Sequence, residues 1–282
     1  MWTTNGATYA LTFGSVYLEI DPANGARITA LRWGGPAGLD LLADAASTGQ
    51  EDNWGSTFWP SPQAWPWPPT ASNSIDAINT LPYSVVSDRA ALTLTSAVNS
   101  APPTVSVIKK FSADLARDAI LIEYTMKNGG QEPVTVAPWE ITRVPAGGIT
   151  FYAGASAPVG HGTPLMATTE ASGVTWYQHD PNDATAYKLF ADGQGWLAHA
   201  ASDLLLIKSF PDISADQSPA GEAEIEIYAA PRYVEVEQQG PVQTLAVGES
   251  LHWTVRWYAR KLLQPATLGS ADLVDYVLNQ IK

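Results

Sequence analysis

The chain of 282 residues contains no cysteine, only four histidines and only 15% charged residues. Without cysteine there is no disulfide scaffold, no cysteine-held zinc or iron–sulfur cluster, and no thiol catalysis. His161, His179, His199 and His252 show no H-x-x-x-H spacing, so no metal site is expected. Basic residues are scarce: 15 Lys and Arg stand against 28 Asp and Glu, a net charge of −13. With no basic cluster to displace phosphate counterions, a nucleic-acid or anionic-membrane partner is not expected. No apolar run approaches the roughly 18 residues that membrane insertion needs. Walker-type glycine loops, dinucleotide fingerprints and G-x-S-x-G are all missing, and no cofactor is expected. Glu19 is the first charged residue, and Thr8 to Ile20 alternates instead of running apolar, so no uncleaved secretory leader is read. A periplasmic or secreted protein that has lost its leader and a cytoplasmic protein both stay open.

What is present is alternation. Tyr9, Leu11 and Phe13, then Val16, Leu18 and Ile20, alternate with small or polar residues, and similar runs recur to Leu251–Tyr258. Turn signals divide them, among them Asp21-Pro22, Asn24-Gly25, Gly34-Gly35, Asn128-Gly129-Gly130 and Asp192-Gly193. Apolar fraction is normal at 45%, which argues against disorder. The pattern predicts an all-β chain folded as a large antiparallel sandwich, a single domain over residues 1–282, since no repeat or linker divides it. One helix is predicted, at the C-terminus, capped by Ser270, with Asp272 in its first turn and a stripe of Leu273, Val274, Val277, Leu278 and Ile281. It is expected to pack across the sandwich.

Asn53–Pro69 differs in texture, reading NWGSTFWPSPQAWPWPP. It reads as a loop, too rich in proline for a central strand. Proline lowers the entropy of a free loop, so Trp59, Trp65 and Trp67 are candidate stacking surfaces for pyranose rings, with Asn53 and Gln63 for hydroxyls. The competing reading is a hydrophobic plug over one end of the sandwich. In Pro138–Arg143, alternation puts Glu140 and Thr142 on one face and Trp139, Ile141 and Arg143 on the other. Glu140 is a candidate acid, or simply lies on a wet face; Arg143 is a candidate ligand, or an ion-pair partner for a neighbouring strand. In Tyr233–Gln239, Tyr233, Glu235, Glu237 and Gln239 share a face opposite Val234, Val236 and Gln238. Two carboxylates so placed repel unless a cation or a proton relieves them. His161 lies in a Gly-flanked loop from which it can reach a cleft; His199 and His252 sit inside strand patterns.

Together, GARITALRWGG with LDLL, NWGSTFWPSPQ, PVTVAPWEITRVPAGG and YVEVEQQGP resemble, in order from about Leu11 to Tyr258, the galactose mutarotase-like (aldose 1-epimerase) superfamily, and more closely a bacterial branch of it with no assigned activity. The resemblance implies a large antiparallel super-sandwich with a sugar cleft on its concave sheet, to which the helix predicted above is added. It implies Glu237, in an E-x-Q context, as general base, with Glu235 in reserve. Trp139-Glu140-Ile141-Thr142-Arg143 departs from the family by carrying no central histidine, which leaves Glu140 or His161 for the acid. The ligand so implied is a mono- or oligosaccharide, bound by Asn53, Trp59, Gln63, Trp65, Trp67, Arg143 and Gln239. Three alternatives stand beside an aldose 1-epimerase-like isomerase: a non-catalytic glycan-binding protein, a relative of polysaccharide lyases or hydrolases, and a sandwich that docks a protein partner through its aromatic loop.

Overall fold

Period-two sequence becomes two stacked sheets. The computed structural model describes residues 2–62, 74–154, 158–160 and 164–282. Among these, eleven strands form one sheet and ten the other, with neighbouring strands antiparallel. From its middle to one edge the larger sheet runs, in spatial order, Arg27–Trp33, Ser56–Ser61, Val134–Pro145, Tyr233–Gln239, Ile225–Ala230 and Tyr187–Ala191. The second sheet centres on Leu204–Ser209, Ser250–Lys261, Ala119–Asn128 and Val105–Asp114. The all-β sandwich expected from alternation is the observed architecture.

The main core lies between the sheets. Leu18, Ile20, Phe58 and Val236 of the larger sheet meet Phe111, Ile122, Tyr124 and Trp257 of the second. Phe58 stacks on Tyr124 with ring centroids 4.0 Å apart. Each such side chain removed from water contributes about 1.5–3 kcal/mol. Two lysines also enter this space. Lys109 donates to the carbonyls of Gly25 at 2.7 Å and Ala26 at 3.3 Å, and burial lowers its ammonium to about 7. Lys208 is fully enclosed and pairs with Glu140 at 2.9 Å.

The C-terminal helix spans Ala271–Ile281, and the Ser270 side chain accepts from the Leu273 N–H, as the capping pattern predicts. Leu273, Val274 and Val277 are buried against Phe151, Trp176, Ala198 and Ile207. The helix therefore covers the outer face of the second sheet, away from the inter-sheet core.

One expectation is corrected. Ser56–Ser61 is not part of a loop but a central strand, between Arg27–Trp33 and Val134–Pro145. Its proline is tolerated for a local reason. Pro60 faces Pro138 in the register, and Pro138 turns its carbonyl the other way, to the Gly240 N–H. Theirs is thus a non-hydrogen-bonded pair, in which neither ring removes a bond from the ladder between them. On the far side, Arg27–Trp33 reaches this strand only at Ile28 opposite Ser56.

His199 is buried in the second sheet, where its Nδ1 meets Thr150 Oγ1 at 2.9 Å. Burial, with a further push from His179, lowers its imidazole to about 3. The unfolded chain takes up a proton near 6.5 that the folded chain refuses, so stability falls as pH drops from about 6.5 towards 3, by up to about 1.4 kcal/mol per unit. In chemical-denaturation series at pH 7, 6, 5 and 4, the stability advantage of the wild type over His199→Asn is expected to shrink with each step. A constant gap would show that His199 does not carry this dependence.

Candidate functional site

Strand alternation sorts the candidate residues onto two sides of the larger sheet. Cross-strand register places Trp59, Trp139 and Gln239 in one row, Thr57, Ile141, Glu237 and Glu226 in the next, and Arg143, Glu235 and Tyr228 in a third. All of these face outward from the sandwich. Glu140, Thr142 and Gln238 face inward; alternation in both segments predicts the sorting onto opposite faces, and the structure supplies which face looks inward.

Glu140 therefore does not join Glu237. It is fully buried between the sheets, where one oxygen accepts from Trp257 Nε1 at 2.9 Å, from Lys208 and from Gln238 Nε2, and the other from Tyr124 OH at 2.5 Å. Its acid role is corrected on geometry: one residue of phase turns its carboxylate through the sheet, and four donors occupy it there.

Glu237 lies on the outward side with both oxygens engaged. Trp139 Nε1 donates to one at 2.9 Å and Lys188 Nζ to the other at 2.6 Å. Lys188 also pairs with Glu226 at 2.8 Å, its ammonium 5.9 Å from the Trp139 ring centroid and 5.3 Å from that of Phe190. Burial alone would lower the Lys188 ammonium, but Glu226 and Glu237 outweigh it and raise its pKa. Burial pushes Glu226 up to about 8, with Glu237 and Glu222 adding to the rise and Lys188 opposing it. Two carboxylates thus share one cation in a shielded place, where a single proton relieves the excess charge.

Around this trio, Gln239 donates to Glu226 at 2.8 Å and to Glu222 at 2.7 Å, while the single O–H of Ser61 is shared between Glu222 and the Gln239 amide oxygen at 3.1 Å. Arg143 donates to Glu235 at 2.9 Å, to Thr57 at 2.7 Å and to Asn53 at 3.4 Å. The ion-pair reading of Arg143 is the one observed, and Glu235 is held in that pair. Burial raises Glu235 above the usual carboxylate range and Arg143 draws it back. Trp59 meets Trp139 edge-on at 5.4 Å, bonds Asn79 through its indole N–H at 2.8 Å, and packs with Ile75. At 3% exposure it is a wall of the face and not an open stacking platform. Gln63, Trp65, Trp67 and His161 lie outside the described residues.

Sequence reasoning missed Lys188 and Glu226. A signal existed for both: Glu222, Glu224 and Glu226 repeat the alternate-carboxylate spacing noted at Glu235 and Glu237, and Lys188 and Phe190 share a face by the same period. Chemically, the face offers a carboxylate whose raised pKa lets it hold a proton, an ammonium shared between two carboxylates, and amide and indole groups that bond hydroxyls.

No family model matches the chain, and no curated relative does either. Among solved structures, a galactose mutarotase-like protein from Lactobacillus casei superposes with a TM-score of 0.65 at 12% identity, over 90% of this chain and 100% of that one. A galactose mutarotase related enzyme from Lactobacillus acidophilus gives 0.58 at 7% identity, over 92% and 100%. The Slr1438 protein from Synechocystis gives 0.58 at 14% identity, over 93% and 100%. These superpositions establish that the chain has the galactose mutarotase-like fold.

Proposed function

We propose that the chain is a carbohydrate-active protein that receives a mono- or oligosaccharide on the outward face of its larger sheet and exchanges aldose anomers there, in the manner of an aldose 1-epimerase. The observation that carries this reading is the convergence of Glu237, Trp139, Lys188 and Glu226, from four strands, on one point of that face. Glu237 is the base that takes the anomeric hydroxyl proton, while an acid protonates the ring oxygen and the C1–O5 bond opens. Rotation about C1–C2 and closure complete the exchange, and two groups of opposite protonation state suffice.

A second reading, sugar binding without turnover, is favoured by one specific observation: Glu237 has no exposed surface and both its oxygens are engaged. Anomer exchange followed by polarimetry on a panel of free aldoses, together with sugar titrations read by NMR, separates the two. Rates above buffer support the epimerase reading. Binding with rates equal to buffer supports the second, and neither binding nor rate on any sugar removes both.

A further inference from the structure

Resting on the anomer-exchange reading above, we infer that Lys188 is the group that hands a proton to the ring oxygen, filling the acid role for which this face carries no histidine among the described residues. Its ammonium stands between the two carboxylates, 2.6 Å from Glu237 and 2.8 Å from Glu226. Both carboxylates are fully enclosed, whereas the Lys188 side chain keeps 13% of its surface. Lys188 is therefore the member of the trio whose side chain reaches the surface. An ammonium has three N–H bonds; two are directed at Glu226 and Glu237, and the third serves an oxygen arriving from outside. The Trp139 and Phe190 rings flank the charge, with centroids 5.9 and 5.3 Å from the ammonium.

The step balances without a further reactant. Glu237 takes the proton from O1–H, the O1 electron pair becomes the C1=O double bond, the C1–O5 pair leaves on O5, and a Lys188 N–H proton moves to O5. The products are the open-chain aldehyde, a neutral Glu237 and a neutral Lys188 amine. Closure on the opposite face of C1 reverses each transfer. Coupling between the two groups drives the donation: as Glu237 is neutralised, Lys188 loses one of its two counter-charges, and its hold on the proton weakens in the same event.

Lys188→Arg separates a proton donor from a fixed counter-ion, because guanidinium keeps the charge and does not release its proton. Lys188→Arg is expected to lose on the order of 10²–10⁴-fold in kcat, with sugar affinity by NMR titration within a few-fold of wild type. The chain has no cysteine, so Lys188→Cys offers a unique thiol. Aminoethylation of that variant, which restores a primary ammonium, is expected to recover rate, and carbamidomethylation is not; this arm also serves if the arginine variant does not fold. Wild-type kcat in Lys188→Arg, or no recovery on aminoethylation, overturns the assignment while leaving the anomer-exchange reading intact. A wild-type protein that binds sugar without exchanging anomers overturns both, and leaves only the binding reading.

Discussion

Lys208→Met is expected to lower folding stability by about 3–5 kcal/mol, the cost of stripping a buried ion pair of one partner. Lys208 sits between the sheets with no exposed surface, 2.9 Å from Glu140, and donates to Thr142 at 2.7 Å and the Val236 carbonyl at 3.2 Å. Burial lowers its pKa and Glu140 works against that shift. Methionine fills a similar volume, so the loss is electrostatic and not a cavity. Tyr124, Trp257 and Gln238 still donate to Glu140 in the variant, yet its charge loses the lysine that pairs with it at 2.9 Å. Adding Glu140→Gln removes that charge while keeping an acceptor oxygen, and the double variant is expected to regain most of the stability. Urea unfolding checks this through the midpoint, with an unchanged m-value indicating the same extent of unfolding. A single variant within about 1 kcal/mol of wild type would mean the pair is not charged.

Glu237→Gln is expected to act in the opposite way, costing on the order of 10²–10⁴-fold in anomer-exchange rate and little stability. An amide accepts hydrogen bonds and cannot take up the anomeric proton. Removing its charge leaves Lys188 paired with Glu226 at 2.8 Å, one carboxylate to one ammonium. The lost hydrogen bond from Trp139 or Lys188 is worth about 1 kcal/mol. Polarimetry and thermal melts on the same preparation read both quantities. A stable Glu237→Gln protein that exchanges anomers at the wild-type rate would remove Glu237 as base.

Period-two alternation proved sufficient for the fold class, because successive side chains of a strand fall on opposite faces of the sheet. It sorted Glu140 from Trp139 and Glu235, Glu237 and Gln239 from Gln238 correctly. What it could not supply was which face looks inward. A carboxylate on an apolar strand reads the same whether it faces a ligand or a buried lysine from the opposite sheet, and Lys208 lies 68 positions from Glu140. The strand Ser56–Ser61 was hidden by its prolines. Their harmlessness depends on the partner opposite, Pro138, and on how little of that edge Arg27–Trp33 covers, neither of which is local. Lys188 and Glu226 escaped because each is ordinary alone; only register brings them to Glu237.

The Val134–Pro145 strand carries one chemistry on its odd positions and another on its even ones. A saturation scan through 139, 140, 141, 142 and 143 should therefore report in two beats. Substitutions at 140 and 142 would disturb the space between the sheets and register as shifts in melting temperature, while those at 139 and 141 would alter the outward face and those at 143 would break the buried pair with Glu235 on that face. Neighbouring codons would thus answer to different surroundings, one set to the space between the sheets and the other to the outward face.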